Sequence, residues 1–324
     1  MQFGEVLYQW LVDEPKPTRL RGGGFKGRVP WPTDAPAPPL AVYIIHWQAP
    51  RWCVQTAQSL ARSTRQVRVT IIDNGGLDDK AISELPQATT IVLTPDNVGY
   101  AGAANRALAD WLAGEDEFAV IACHDVVVSP DALDALSAAM AMPDVGIVGI
   151  GAGGPQPARS PSRNSDIEVA SVSWVSGSCM YLRRSCVLDI GPVDELFGSY
   201  LEDVDLCFRA VDRGWCVVSI PEVIVQWEGS ISPNASVISG SNSLRLALKR
   251  RGWLALPVWL TKQLVLLLLA GVDVGLAPRR GRRVEFRQRW QILCLGLTRH
   301  VWPRREPGFG FGGSFPKRHK FGAR

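Results

Sequence analysis

Residues 67–76 read Val-Arg-Val-Thr-Ile-Ile-Asp-Asn-Gly-Gly. An apolar run of strand length closes on Asp73 and Asn74, and the glycine pair behind them frees the backbone to turn. Continuous apolar runs suit parallel strands buried on both faces, and polar residues at their carboxyl ends are where open α/β sheets meet ligands. The pattern recurs at Phe118–Ala122, which runs into Cys123-His124-Asp125. Working outward, Ala41–Ile45, Thr90–Leu93 and Val145–Ile150 are further strand runs. Helical stretches ending at Ser63, over Ala101–Leu112 and over Asp131–Met140 lie between them. This alternation predicts a doubly wound, mainly parallel α/β sheet. Val172–Ser176, Cys179–Leu182, a helix over 202–213 and Cys216–Ile220 follow.

A chain of 324 residues, 46% hydrophobic and 20% charged, has room for one large or two modest domains and is not a disordered protein. Its seven cysteines are scattered and form no C-x-x-C pair, which argues against a zinc knuckle or a disulfide framework and for reduced thiols. The net charge of +4 divides into +11 for residues 277–324 and −7 for residues 1–276. A segment that basic suits an anionic membrane surface or nucleic acid, and no nucleic-acid-reading module accompanies it, so no nucleic-acid partner is expected. Met1–Val12 shows no basic region ahead of an apolar core, so the protein is expected to stay inside the cell.

Residues 1–39 read as a flexible lead: a small docking segment at 3–12, then a stretch rich in Pro, Gly and Arg that is too poor in apolar side chains to order itself. Residues 40–240 are expected to form the main α/β domain, with 151–168 as a mobile loop. Residues 241–276 are apolar and helical. Pro257, Lys262 and Asp273 interrupt them, which favours helices lying in a membrane interface over a span, with Trp253 and Trp259 as anchors. Residues 277–324 form a basic tail whose Arg279, Arg280, Arg282 and Arg283 would meet lipid phosphates. A core helix with a solvated tail is the alternative.

Residues 199–209, Ser-Tyr-Leu-Glu-Asp-Val-Asp-Leu-Cys-Phe-Arg, crowd Glu202, Asp203 and Asp205 at the start of a helical period. Like charges there repel, and the helix dipole offsets this only in part, so the cluster marks a place for a carboxylate that takes a proton. The alternative is a capped helix with Asp205 paired to Arg209. Asp73 reads as a contact for a base or ribose, or as a simple turn. Asn97–Asn105 joins small residues to two amides at a helix start, for close approach of a ligand or close helix packing. Asp125, beside His124, offers hard ligands for Mg²⁺ or Mn²⁺. Gly149–Gly154 matches G-x-G-x-x-G but runs into Pro155, which leaves no helix N-terminus for a pyrophosphate.

In order, these segments resemble the family-2 glycosyltransferases of the GT-A fold, in particular the bacterial rhamnosyltransferase-like branch. The likeness spans about residues 41–250 and rests on Ile71–Gly75, Asn97–Asn105, Asp125 with Pro130-Asp131, Trp174–Ser178, Arg183-Arg184, Gly191–Phe197 and Tyr200–Leu206. It implies an inverting transfer from a nucleotide-diphosphate sugar, with a divalent cation, to a saccharide or lipid-linked acceptor in cell-envelope polysaccharide synthesis. Rhamnose is the sugar the branch suggests. Carried over by position, Asp203 is the general base and Glu202 its support. Asp73, Asn74, Asn97, Gly99, Tyr100, Asn105, His46, His124 and Asp125 bind the donor. Trp174, Gly177 and Trp227 face the acceptor, and Asp125, with His124 as candidate second ligand, holds the metal.

Three positions depart from the family pattern. His46-Trp47-Gln48 replaces Thr-Tyr-Asn, Cys123-His124-Asp125 replaces Asn-Pro-Asp or Asp-x-Asp, and Gln226 stands where a metal-binding His is common. They motivate a competing expectation, a non-catalytic membrane-recruited scaffold that keeps the fold without turnover. The expected location is cytoplasmic, peripheral at the inner face of the membrane.

Overall fold

The structure is a computed structural model that describes residues 10–21, 23–32, 38–149, 166–220, 225–227, 234–276 and 280–301; for 225–227, 271–276 and 280–283 it describes the backbone alone. Strand β2 (Leu40–His46) is buried along its whole length, as its Val and Ile content suits, between β3 (Val67–Asp73) and β5 (Phe118–Cys123). The registers His46 to Asp73 and Ile45 to Cys123 bring the carboxyl ends of these three parallel strands level. Strand β4 (Thr90–Leu93) extends this parallel half beyond β3.

The other half is mixed. Strand β9 (Cys179–Arg183) runs antiparallel to both β5 and β7 (Val145–Gly149), and β10 (Cys216–Ser219) joins β7 in parallel. Strand β8 (Ile167–Val172) and β1 (Lys26–Val29) complete nine strands in the order β1-β8-β10-β7-β9-β5-β2-β3-β4. A separate ribbon pairs β6 (Val126–Val128) with β11 (Val225–Trp227), setting the Trp227 backbone opposite Val126.

Helices cover both faces. On one, α1 (Pro50–Ala61), which opens with proline at its first turn, and α4 (Ala132–Ala139) pack on Val42, Ile44, Val120 and Val148. On the other, α3 (Gly99–Leu112), α5 (Arg184–Ile190) and α6 (Glu202–Asp212) pack on Tyr43, Ile45, Ile121 and Leu182. The short α2 (Asp79–Glu84) is capped by Asp78, whose carboxylate accepts the Ala81 N–H.

The chain then forms a helical layer from α7 (Ala235–Arg251), α8 (Ala255–Leu276) and α9 (Arg280–Gly296). Leu244, Trp259, Ile292 and Leu293 make its core. Phe197, Phe208 and Leu246 bind the layer to α6. By length and composition, the helical stretch 235–270 is apolar enough to cross a membrane, since an 18-residue window within it has mean hydropathy 1.7.

Four expectations are corrected. The lead is ordered where described: β1 pairs with β8, and Leu11, Val12, Leu20 and Val29 are buried. The strand after the loop ends at Val172, and 173–178 turns instead. Trp259 is fully buried and its indole N–H donates to Ser243 Oγ at 2.9 Å, so it belongs to the core, whereas Trp253 is exposed. The basic segment begins with a packed helix, α9, and the helical layer starts at Ala235. Residues 3–9, most of 151–168, Arg279, and the side chains of Arg280, Arg282 and Arg283 lie outside the described residues.

Candidate active site

Four of the expected donor-side residues meet where β2, β3 and β5 end. His46 is fully buried; its Nε2 accepts the Ala49 N–H at 3.1 Å, so the proton sits on Nδ1, which donates to Asp73 Oδ1 at 2.7 Å. The same oxygen accepts the Gly75 N–H at 2.8 Å. His46 therefore aims Asp73 from below and does not itself face a ligand. Its ring meets that of His124 edge to face at 5.5 Å between centroids. His124 Nδ1–H donates to the Ile45 carbonyl at 3.1 Å, leaving Nε2 as the basic nitrogen. Burial holds the His124 pKa below the usual imidazole value, so the ring is neutral and suited to ligation.

His124 and Asp125 line a cleft of about 390 Å³ together with Gln48, Ala49, Pro50, Arg51 and Trp52. Arg51 and Trp52 were not singled out from sequence. The signal was Pro50, which starts a helix directly after a strand-end His.

The acidic helix closes the other side. Tyr200 and Leu201 both adopt left-handed backbone, φ 70° and 71°, immediately before Glu202. Two consecutive non-glycine residues in that region are held by Asn242 of α7, whose amide donates to the carbonyls of Phe197, Ser199 and Tyr200, each at 2.8 Å. Its Oδ1 accepts His300 Nε2–H at 3.2 Å. Asn242 and His300 escaped the sequence reading because nothing in a polar α7 periodicity marks a buried clamp.

The turn delivers Asp203 with Oδ2 accepting the Gly177 N–H at 2.7 Å and Oδ1 accepting the Val204 N–H at 2.8 Å. Burial raises the Asp203 pKa against the pull of those N–H groups. Glu202 is 5% exposed, and its Oε2 has no hydrogen-bond partner among the described residues. Burial and then the Asp203 charge push Glu202 well above the usual carboxyl range. Asp205 is structural, as the alternative reading had it: Arg209 Nε at 2.9 Å and Lys249 Nζ at 2.6 Å hold it between α6 and α7.

Gly177 joins the two halves. Its carbonyl accepts Tyr100 O–H at 2.6 Å and lies 3.9 Å from Cys123 Sγ, at the end of β5, while its N–H holds Asp203. A Cβ there would stand 3.1 Å from both Cβ and Oδ2 of Asp203, so a side chain at 177 would press that carboxylate aside by a few tenths of an ångström. Gly99, at φ 72°, would press a Cβ to 2.8 Å from the Gly198 carbonyl.

The other expected contacts serve packing. Asn74 Nδ2 donates to Gly99 O at 3.2 Å, and Asn97 Oδ1 accepts the Gly99 N–H at 2.9 Å. Asn105 bonds to the Val193 backbone and to Glu195. Trp174 is half-buried between the α6 face of the sheet and the Phe197 cluster. The side chains of Gln226 and Trp227 lie outside the described residues.

Among the described residues no group of three or more His, Cys, Asp and Glu side chains is placed to hold a metal. His124 and Asp125 offer one nitrogen and one carboxylate on the same cleft, a set that fits a cation shared with diphosphate oxygens and not an all-protein cage.

A sheet with a parallel half, carrying polar strand ends and backed by an acidic helix, is the arrangement of the GT-A fold. No family model matches the chain. It is 29% identical over 274 residues to the N-acetylglucosaminyl-diphospho-decaprenol L-rhamnosyltransferase of Mycobacterium tuberculosis, covering 69% of this chain and 89% of that one. The mannosyltransferase PcManGT from Pyrobaculum calidifontis, solved with GDP-Man and Mn2+, superposes with TM-score 0.54 at 15% identity over 92% of this chain and 95% of that one. GalNAc-T7, solved with UDP, GalNAc and Mn2+, gives 0.51 at 14% over 67% and 48%. The chain is thus similar to a rhamnosyltransferase in sequence and to GT-A glycosyltransferases in fold.

Proposed function

We propose that the protein moves a sugar, rhamnose by analogy with its mycobacterial relative, from a nucleoside diphosphate to a saccharide on a lipid diphosphate, with inversion and with Asp203 as general base. The carboxylate held by Gly177 and Val204 carries this reading. Each Asp203 oxygen accepts one backbone N–H and retains a lone pair, so the group is fixed yet able to take a proton. The acceptor hydroxyl oxygen attacks the anomeric carbon, its proton passes to Asp203, and the bond to the nucleoside diphosphate breaks. The raised pKa makes Asp203 a stronger base, and an uncharged Glu202 beside it leaves one negative charge at that point.

Asp73, aimed by His46, receives the nucleoside, and Arg51 faces the diphosphate from the cleft wall. A divalent cation held by Asp125 and His124 would supply positive charge to the departing diphosphate. The acceptor is approached from the side of Gly177 and Trp174. The location in keeping with a lipid-linked acceptor is the inner face of the cytoplasmic membrane, reached through the exposed apolar residues of the helical layer.

The test is Asp203→Asn, assayed with a panel of nucleotide sugars and a prenyl-diphosphate-linked N-acetylglucosamine. Turnover should fall by roughly 10²–10⁴-fold with donor affinity little altered. Near-normal turnover by the variant would reject Asp203 as the base.

A further inference from the structure

Past α9 the helix widens into a π-type turn, Leu297–Val301, a rare backbone form that is frequent at functional sites. Two consecutive residues of it reach the turn that leads into α6. His300 holds Asn242, and Arg299 lies against Gly198, where an added Cβ would stand 2.5 Å from a guanidinium nitrogen. Gly198 is itself packed on the start of α3: its carbonyl accepts the Ala101 N–H at 2.8 Å, and Ser199 Oγ accepts the Tyr100 N–H at 3.2 Å. The Gly99 carbonyl in that start accepts the amide of Asn74, the residue after Asp73. Arg299 therefore packs where the helix start tied to the Asp73 turn meets the segment that delivers Asp203.

Its charge has no counterpart. Arg299 is half-buried, with neither a hydrogen-bond nor an ion-pair partner among the described residues. The carboxylates of the adjoining network are already shared: Asp194 by Arg245 Nη2 at 2.5 Å and Lys249 Nζ at 3.0 Å, and Asp205 by Lys249 and Arg209. Three cations meet two carboxylates before Arg299 is added. Burial and then the Arg245 charge hold the Arg299 guanidinium below its usual range. A half-buried cation beside a like charge destabilises the fold unless an anion joins them. The α3 start does not compete for that anion, because Asn97, Ser199 and Gly198 already accept the N–H groups of Gly99, Tyr100 and Ala101.

We propose that Arg299, backed by Arg245, is an anion site that holds the diphosphate of a substrate beside the turn into α6. A guanidinium offers the planar pair of donors that phosphate oxygens match. Diphosphate is what the sugar donor and the lipid-linked acceptor proposed above have in common, and the inference rests on that reading only for which of the two is held.

The test uses the full chain with Arg299→Gln, which removes the charge, and Arg299→Lys, which keeps it. Three probes at constant Mn²⁺ separate the sources: nucleoside diphosphates (UDP, dTDP and GDP), farnesyl diphosphate, and inorganic diphosphate. At least one should bind Arg299→Gln ~10- to 100-fold more weakly than wild type, with much of the loss recovered in Arg299→Lys. Loss for a nucleoside diphosphate alone assigns the donor, loss for farnesyl diphosphate alone assigns the acceptor, and equal loss for all three marks a site that reads the diphosphate itself. Without a probe, Arg299→Gln should melt no lower than wild type, since it removes an unpaired charge. The bound diphosphate should raise the melting temperature of wild type more than that of the variant. Unchanged affinity for every probe overturns the proposal. So does equal loss in both variants with lowered melting temperatures, which would trace the effect to folding. Transfer activity with unchanged probe affinities sinks the anion site and leaves the transferase reading standing. Absence of transfer from any nucleotide sugar, with diphosphate affinity still lost in Arg299→Gln, sinks that reading and leaves the site.

Discussion

At the scale of single residues, the site is organised by backbone N–H groups and short hydrogen bonds between side chains. Asp73 is held by His46 and its own turn, and Asp203 by Gly177 and Val204. Neither carboxylate meets an arginine or lysine within salt-bridge distance among the described residues, so the negative charge each carries stays available to a ligand or a proton. Asp125→Ala should weaken donor binding ~10-fold or more and abolish any gain in affinity from Mn²⁺, since the carboxylate is one of the two ligands proposed for the cation. Calorimetry with and without Mn²⁺ checks this; identical affinities in wild type and variant would remove Asp125 from the metal. Asp73, Asp125 and Asp203 were legible in sequence because each breaks an apolar period. Asn105 misled for the opposite reason: an amide among small residues reads the same whether it faces a ligand or, as here, staples α3 to the Val193–Glu195 turn.

At the scale of elements, the turn into α6 is the strained part. Two left-handed residues cost of order 1–3 kcal/mol each, and Asn242 is the compensation the neighbouring helix provides. Asn242→Ala should cost about 2 kcal/mol of stability through the loss of its amide hydrogen bonds to the 197–200 turn, seen in urea unfolding, and should lower kcat with donor affinity retained. Full activity with lost stability would mean that Asn242 supports the fold and does not position α6. The strands of the parallel half were legible from their apolar runs alone. Strand β1 was not, because Lys26-Gly-Arg-Val29 is an edge strand whose order comes from ladder bonds to β8 and from burying Val29 alone of its four residues. Helix α9 was hidden by its arginines; Ile292 and Leu293, packed on α7 and α8, make it an ordered helix.

Across the whole molecule, the helical layer reaches the turn before α6 through Asn242, which is held in turn by His300, 9% exposed. Burial first, then Arg245 and Arg299, lower its pKa from 6.5 to about 4, while Asp194 opposes them. A histidine depressed in the folded state stabilises above its unfolded pKa and loses that contribution as pH falls from 6.5 toward 4. Melting temperature should therefore drop on acidification through that window, and His300→Gln should flatten part of the drop. Parallel pH profiles for the two proteins would show that His300 is not protonated on unfolding.

Sequence alone determined the alternation of strands and helices and which acids end strands or open a helix, because burial imposes a period on the chain and a carboxylate must interrupt it. It did not determine that Gly177 touches Asp203, that Trp259 lies in a core, or that Arg299 lies against Gly198. Those pairs lie 26 or more residues apart or, like Trp259, on a helix apolar on most sides. Only the packing of one layer on another selects which of their faces meet, since the hydrophobic effect that drives burial carries no direction of its own.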